Sequence, residues 1–112
     1  MTDTKTCIQE IKDKVKQFQA ERGWIAQHSP KNLAMSIAVE AAEIMEIFQF
    51  VTTEAAWDVA RSDEAEHVRE ELADVLIYCM SFANALDIDV AAAVQDKLEK
   101  NRRRWPVKAK TS

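Results

Sequence analysis

The sequence predicts an all-α protein, a four-helix bundle formed by a single domain. One glycine and two prolines among 112 residues are too few turn formers for an all-β fold, which needs a turn about every ten residues. Apolar residues recur at the helical spacings of three and four, and N-cap residues and prolines stand at the ends of these periodic segments. The length favours one compact domain over residues 1–112, with a core from about residue 6 to 106.

The first helix is predicted to begin at Thr4 or Thr6 and to end at Arg22. Thr6 and Gln9 have the spacing of a capping box, and Gly23 stands where a left-handed C-terminal cap is expected. A single apolar stripe defines the buried face of this helix: Ile8, Ile11, Val15 and Phe18.

The second helix is predicted over Pro30–Val51, with Ser29 as its N-cap and Pro30 at its first position. Most of its circumference is apolar, which indicates burial on more than one side. Because so small a domain cannot cover such a helix alone, we expect other copies of the chain to cover it. The apolar residues are Leu33, Met35, Ile37, Val39, Ile44, Met45, Ile47, Phe48 and Phe50.

The two remaining helices follow a weakly patterned connector, Thr52–Arg61, in which a short helix around Trp57 is possible. The third helix is predicted to start at Ser62 or Asp63 and to reach Leu86.

The fourth helix is predicted from its cap at Asp89 to about Arg104. Pro106 stops it, and the Val107–Ser112 tail is predicted to fray. With short connections throughout, the four helices predict a bundle.

Composition and charge exclude several classes of function. A net charge of −4 argues against binding to a nucleic-acid polymer. Charged residues interrupt the apolar runs before the roughly 18 residues that a membrane span requires. No secretory leader pattern opens the chain, so Cys7 and Cys79 are expected to be reduced thiols in the cytoplasm.

Two pairs of carboxylates interrupt helical stripes that are otherwise apolar. Glu40 and Glu43 are three residues apart on the second helix, and Glu71 and Asp74 have the same spacing on the third. Like charges at this spacing repel each other, and burying unpaired carboxylates costs several kcal/mol. Two such pairs on facing helices therefore predict a shared divalent cation, and all-oxygen ligands favour Mg²⁺ or Mn²⁺.

Two further groups of residues suit a phosphorylated ligand with a base. Lys97, Asn101 and Arg104 fall on one face of the fourth helix, where cations can hold phosphate oxygens. Trp24, His28 and Asn32, around the connection between the first two helices, could stack on and hydrogen-bond a base.

Simpler interpretations exist for each pattern. The carboxylates could pair with lysines in solvent, the basic row could complement the helix dipole, and the loop tryptophan could be a packing residue. A carboxylate-bridged di-iron bundle needs Glu-x-x-His on two helices, but only Glu64–His67 has that pattern. A non-catalytic helical oligomerisation module is the other alternative.

Three segments carry a resemblance to a known family. They are P-K-N-L-A-M-S-I-A-V-E-A-A-E-I-M-E-I-F-Q-F at Pro30–Phe50, E-E-L-A-D-V-L-I-Y at Glu70–Tyr78, and K-x-x-x-N-R-R-R-W-P at Lys97–Pro106. Together with E-R-G-W at Glu21–Trp24 and the following His28, they resemble the MazG-like all-α nucleoside triphosphate pyrophosphohydrolases. Within that superfamily the chain is most similar to the dCTP pyrophosphatase branch.

The resemblance implies hydrolysis of a nucleoside triphosphate, with a dCTP-like pyrimidine favoured, to the monophosphate and pyrophosphate, as in nucleotide-pool cleaning. It implies a homo-oligomer, a tetramer or at least a dimer, with sites built partly from neighbouring chains. It also implies three groups of site residues: Mg²⁺ ligands Glu40, Glu43, Glu71 and Asp74; a base pocket including Trp24, Phe50 and Tyr78; and phosphate contacts near Lys97 and Asn101. We assign Glu43 the further role of orienting the attacking water.

Two positions depart from the branch. Phe50 stands where the vertebrate dCTP enzymes have a tryptophan, and Val15 stands where they have a substrate-contacting histidine. The sequence therefore predicts the reaction class more firmly than the base.

Overall fold

The computed structural model describes residues 1–108, and within that range the only regular secondary structure is helical. This confirms the all-α prediction, with five α-helices and one short 3₁₀ turn at Ile25–Gln27. The helices are α1 (Ile8–Glu21), α2 (Pro30–Phe48), α3 (Thr53–Ala60), α4 (Ala65–Leu86) and α5 (Val90–Arg104).

Several local signals act as the sequence predicts. The Ser29 hydroxyl accepts a hydrogen bond from the Asn32 backbone N–H at 3.1 Å and caps α2. The Asp89 carboxylate does the same for the Ala92 N–H at 2.9 Å and caps α5. Gly23 follows α1 with a φ of +69°, a left-handed conformation that costs glycine little.

The predicted start of α1 is wrong, because the helix begins at Ile8 without a side-chain cap. The Thr6 hydroxyl instead accepts a hydrogen bond from the Thr2 backbone N–H at 3.0 Å. The Gln9 side chain donates to Asp13 at 2.7 Å. Thr6 and Gln9 thus make other hydrogen bonds, and the predicted capping box does not form.

The connector between the second and third predicted helices contains the α3 helix. The Thr52 hydroxyl caps it by accepting a hydrogen bond from the Ala55 N–H at 3.1 Å. The neighbouring helices are shorter than predicted, since α2 ends at Phe48 and α4 begins at Ala65. Of the predicted frayed tail, residues 109–112 lie outside the described part of the chain.

The core of the fold is the contact between α2 and α4, which is the most extensive helix pair. Helix α1 packs on α4, and α3 touches α4 more lightly. Helix α5 leaves α4 at an angle of 100° and contacts the other helices sparsely. Within one chain, the long helices α1, α2 and α4 therefore pack together, whereas α5 projects away from them.

None of the helices described is by itself long and apolar enough to cross a membrane, although α4 and α5 together, as a bent pair, meet that test by length and composition.

Polar side chains join α1 to α4. The buried Gln19 amide donates to the buried Ser81 hydroxyl at 2.6 Å. The buried Lys12 ammonium donates to the Ile88 carbonyl at 2.8 Å, and the Asn84 amide donates to the Lys12 carbonyl at 3.0 Å. These bonds fix α1 along the last turns of α4.

The chain by itself is elongated. Its radius of gyration is 17.5 Å, whereas a compact domain of this length has a radius of about 13 Å. Within residues 1–108, the buried hydrophobic residues are Leu33, Met80 and Ala83 alone. Many large apolar side chains are exposed along α2, α4 and α5, including Met35, Val39, Met45, Leu72, Leu76, Val94 and Leu98.

Replacing Ser81 with Ala should destabilise the protein, because it leaves the buried Gln19 amide without its hydrogen-bond acceptor. An unsatisfied buried polar group costs about 1–3 kcal/mol. Urea unfolding followed by circular dichroism measures this loss. Gln17→Ala removes an exposed hydrogen bond to Glu21 from the same helix and is the control, with little expected effect. Equal stabilities of the two variants would contradict the role given to the buried pair.

Candidate functional site

Three carboxylates meet where α2 packs on α4. Glu40 belongs to α2, and Glu71 and Asp74 belong to α4, where a spacing of three places both on one face. One carboxylate oxygen from each residue lies within 4.8 Å of the others. The structure thus brings together three of the four predicted metal ligands.

The electrostatics of this acidic cluster are unfavourable without a cation. Burial raises the pKa of Glu40 above its usual 4.5, and the negative charges of Asp74, Glu71 and Glu43 raise it further. Each of these effects opposes ionisation of Glu40. The cluster therefore carries excess negative charge, which a divalent cation would neutralise.

Glu43 lies one helical turn beyond Glu40, outside the group of three, and its side chain is exposed. It is close enough that its charge raises the pKa of Glu40. It also faces a second space, a cavity of about 380 Å³ lined by Glu43, Glu46, Ile47, Gln49, Phe50, Glu64 and His67. Glu43 therefore occupies the edge of the acidic cluster.

A groove leads from the first loop to the acidic cluster. It consists of two adjoining cavities of about 320 and 390 Å³ that share Asn32, Ser36 and Tyr78. Trp24 and His28 line the outer cavity, at the far end of the groove from the cluster. The inner cavity is lined by Asn32, Met35, Ser36, Val39, Glu40 and Tyr78, so the groove ends at a carboxylate of the cluster.

The ring of Trp24 is held at the mouth of this groove by two contacts. It packs edge-on against Phe18 of α1, with ring centroids 5.7 Å apart and an interplanar angle of 75°. Its backbone N–H donates to the Gln19 carbonyl at 3.0 Å, which closes the turn at Gly23. The half-exposed ring therefore keeps a face available to a ligand.

Asn32 has a structural role besides its place in the groove. Its side-chain amide donates to the Gln27 carbonyl at 3.4 Å and ties the loop to the first turn of α2.

The structure does not bring Phe50 to Trp24 and Tyr78. Phe50 follows α2, is 91% exposed, and lines the cavity on the Glu43 side of the cluster. The single base pocket that the sequence suggested is therefore divided within one chain.

The basic row of α5 is also separate from the acidic cluster within one chain. Lys97, Asn101 and Arg104 lie on the helix that diverges from α4, and no α5 residue lines the three cavities beside the cluster. Arg104 instead approaches the ring of Trp105, with 5.4 Å from its guanidinium carbon to the ring centroid.

Sequence reasoning missed Ser36, which lines both cavities of the groove. A signal was available, because Asn32, Ser36 and Glu40 follow each other at spacings of four and so share one face of α2. A polar stripe beside the apolar faces of that helix indicates a ligand-facing side.

Sequence reasoning named Glu64–His67 only in setting aside a di-iron site and gave His67 no role beside the predicted carboxylates. The metal-type cluster consists of Glu40, Glu71 and Asp74 without the histidine, but His67 contacts one of its members. The His67 ring lies between two carboxylates, 2.9 Å from Glu64 through Nδ1 and 3.3 Å from Glu71 through Nε2. The hydrogen bond to Glu64 is the main reason that the pKa of His67 is raised.

The largest cavity described, about 810 Å³, lies elsewhere, between the starts of α1 and α5 and the end of α4. Lys12 and Asp89 line it, and it contains none of the predicted site residues. Because Trp24, Tyr78 and Glu40 of the acidic cluster all line the smaller groove, we take the groove as the functional site.

Comparison with known proteins agrees with this geometry. Residues 35–112, which include the acidic residues of both helices, match the MazG-like family. The chain belongs to the MazG-like family. A crystal structure of a pyrophosphatase from Archaeoglobus fulgidus superimposes with a TM-score of 0.84 at 40% identity, over 89% of this chain and 93% of that one.

Curated relatives point in the same direction. The chain is 37% identical to dCTP pyrophosphatase 1 of Bos taurus over 101 residues, which is 89% of this chain and 60% of the relative. It is 36% identical to dCTP pyrophosphatase 1 of Homo sapiens over 100 residues, 88% of this chain and 59% of the relative. The chain therefore spans about 60% of the length of these relatives.

The acidic cluster has the donor set of a hard divalent cation. All three side chains offer oxygen, and Mg²⁺ binds oxygen at about 2.1 Å, so two of its ligands lie at most about 4.2 Å apart. The oxygens of Glu40, Glu71 and Asp74, within 4.8 Å of one another, need only a small contraction to meet this limit. The residues present fit such an ion.

The raised pKa of Glu40 predicts a specific pH dependence of stability without metal. Folding favours the protonated carboxyl, so its ionisation costs stability at pH values above the raised pKa. That cost diminishes as the pH falls through the raised pKa toward 4.5. Glu40→Gln removes the ionisation, so in EDTA the variant should melt above the wild type at pH 7.5, with a smaller difference at pH 5.

Thermal melts of both proteins at several pH values measure this difference. Added Mg²⁺ should reduce or reverse it at pH 7.5, because the wild type gains more from the cation. If the difference in melting temperature between the two proteins did not change with pH, ionisation of Glu40 would not be what destabilises the wild type.

Proposed function

We propose that this chain hydrolyses a nucleoside triphosphate to the monophosphate and pyrophosphate. The observation that carries this proposal is the groove, which has an aromatic ring at its mouth and a carboxylate cluster at its inner end. Such a groove can hold a base at one end and a metal-bound phosphate chain at the other. Membership of the MazG-like family and similarity to a pyrophosphatase support it.

A dCTP-like pyrimidine nucleotide is the substrate that we favour. The curated relatives are named dCTP pyrophosphatase 1, and the groove offers Trp24 for stacking and Asn32, Ser36 and Tyr78 for hydrogen bonds. Val15 and Phe50 depart from that branch, so we expect the preference among pyrimidines to differ from that of the relatives.

Mg²⁺, with Mn²⁺ as a substitute, is the proposed cofactor. Glu40, Glu71 and Asp74 would hold it, with Glu43 at the edge of the site as a fourth ligand. When bound, the ion would lower the pKa of a coordinated water and neutralise charge on the phosphate chain.

The chain's own residues would orient the reactants. We assign the carboxylate of Glu43 to accept a hydrogen bond from the attacking water and so to direct it to the α-phosphorus. His28 and Asn32 would restrict the nucleoside end of the groove, and Tyr78 lies where the two cavities join.

The phosphate contacts would come from a neighbouring chain. Lys97, Asn101 and Arg104 are cationic or polar groups suited to phosphate oxygens, yet α5 carries them away from the acidic cluster of their own chain. A homo-oligomer would return such a row to each site and would cover the exposed apolar faces of α2 and α4. We favour a tetramer, with a dimer as the minimum.

The biological role that we propose is removal of unwanted nucleotides from the cytoplasmic pool, carried out by residues 1–112 as one MazG-like domain. Cys7 and Cys79 form no disulfide, which is consistent with this compartment.

The position of bond cleavage tests the reaction class. Incubation with Mg²⁺ and a panel of canonical and modified triphosphates should yield monophosphate and intact pyrophosphate, with orthophosphate appearing only after a pyrophosphatase is added. EDTA should stop the reaction. Chromatography with phosphorus NMR identifies the products. Early orthophosphate and diphosphate would contradict attack at the α-phosphorus, and intact nucleotides throughout would favour a non-catalytic oligomerisation module.

Glu43→Gln and Glu46→Gln provide a matched pair for this assay. Both residues line the cavity on the same side of the cluster, but only Glu43 acts on the pKa of Glu40. Loss of the Glu43 charge should slow turnover by about 10² or more, since each 1.36 kcal/mol of lost transition-state stabilisation is about tenfold in rate. Glu46→Gln should have little effect, and similar kcat values for both would remove Glu43 from the mechanism.

The assembly can be tested by light scattering coupled to size exclusion. The mass should be two or four times the 12.7 kDa of one chain, because a monomer exposes too much apolar surface. Leu76→Glu places a charge on the exposed apolar face of α4 and should lower the mass, whereas Lys14→Glu on the exposed side of α1 should not. A wild-type mass near 12.7 kDa at micromolar concentration would contradict the oligomer.

A further inference from the structure

A line of polar side chains starts at Glu64, the N-cap of α4, continues along one face of that helix and ends in the acidic cluster. Its members are Glu64, His67, Glu71 and Asp74, at successive spacings of three, four and three residues. Residues at these spacings are neighbours on a helix surface, so each side chain can touch the next. Only Glu71 and Asp74 belong to the acidic cluster.

His67 lies between the carboxylates of Glu64 and Glu71. Its Nδ1 is 2.9 Å from Glu64 Oε2, within hydrogen-bond distance, and its Nε2 is 3.3 Å from Glu71 Oε1. Ionised carboxylate oxygens only accept hydrogen bonds, so a protonated ring can donate to both carboxylates and a neutral ring to one of them. Glu64 therefore fixes the ring, and the ring faces one chosen oxygen of Glu71.

Exposure distinguishes the two carboxylates. The Glu64 side chain is 53% exposed, whereas that of Glu71 is 15% exposed. Water competes for the outer end of this line but much less for the inner end. Because water competes less at Glu71, the contact with His67 has more influence on the orientation of the Glu71 carboxylate than on that of Glu64.

We propose that His67 is a positioning residue that holds Glu71 in the orientation required by a divalent cation. The inference rests on the proposed function, because it takes the acidic cluster as the metal site. The contact of the ring with Oε1 would hold the Glu71 carboxylate in one orientation toward the ion. Partners of this kind commonly contribute about 10- to 100-fold to metal affinity.

The orienting contact and the charge of His67 have opposite expected effects on metal affinity. A ring that only neutralises Glu71 would repel a cation, so its removal would strengthen metal binding. A ring that orients Glu71 would strengthen binding, so its removal would weaken it. The substitutions His67→Ala and His67→Gln separate these effects, because Gln places an amide N–H near the position of Nε2 but carries no charge.

The test uses the 112-residue chain without nucleotide and follows Mn²⁺ binding by electron paramagnetic resonance of the free ion. His67→Ala should weaken Mn²⁺ binding by about tenfold, and His67→Gln should restore most of the affinity. Arg69→Ala is the matched control, since Arg69 forms an exposed ion pair with Glu66 at 3.2 Å on the same helix. It should bind Mn²⁺ as the wild type does.

Melting curves in EDTA show whether each variant is folded before its affinity is compared. If both His67 variants bind Mn²⁺ more tightly, the ring acts through charge and the positioning role is overturned. Unchanged affinity in His67→Ala overturns it as well, while leaving the proposed function intact. A wild type that binds no Mn²⁺ would overturn the metal site and this inference together.

Discussion

Repulsion among three carboxylates at the α2–α4 contact is the constraint on which the rest of this structure depends. Glu40, Glu71 and Asp74 face one another across the most extensive helix pair of the chain, where ordinary packing would place apolar groups. Burial and the neighbouring charges raise the pKa of Glu40, so this arrangement works against the stability of the bare chain. Conflicts of this kind are expected at functional sites, where stability is given up for binding. The same contact forms the groove that reaches Trp24, which is why the cluster and the aromatic pocket belong to one site.

The second constraint is that one chain does not cover its own apolar surface. Three long helices pack together, and α5 projects away at 100° with its basic row. Phe50 is likewise separated from Trp24 and Tyr78, so that residues expected to contact one ligand line different cavities of the chain. In the oligomer that we propose, a second copy would bury the apolar faces and complete the ligand site. Stability and activity would then depend on the same association.

The polar face of α4 suggests how such a site maintains its geometry. Hydrogen bonds and ion pairs between side chains at helical spacings need no additional loop or domain. His67 has its two ring nitrogens beside two carboxylates, one largely solvated and one largely buried. A rigid helix thereby contributes both the carboxylates that would hold the ion and the residue that directs one of them. In a chain of 112 residues, one helix can thus supply both kinds of group.

The sequence by itself determined the all-α class and the caps at Ser29 and Asp89, and it identified the carboxylates that we propose as metal ligands. These depend on composition and on spacings within one helix, which a linear pattern records. Only the tertiary structure decided which groups meet. It separated Phe50 from Trp24, placed Glu43 at the edge of the cluster, and set the direction of α5. Helical periodicity specifies the face of a helix on which a residue lies, but the packing of one helix on another specifies what that face touches.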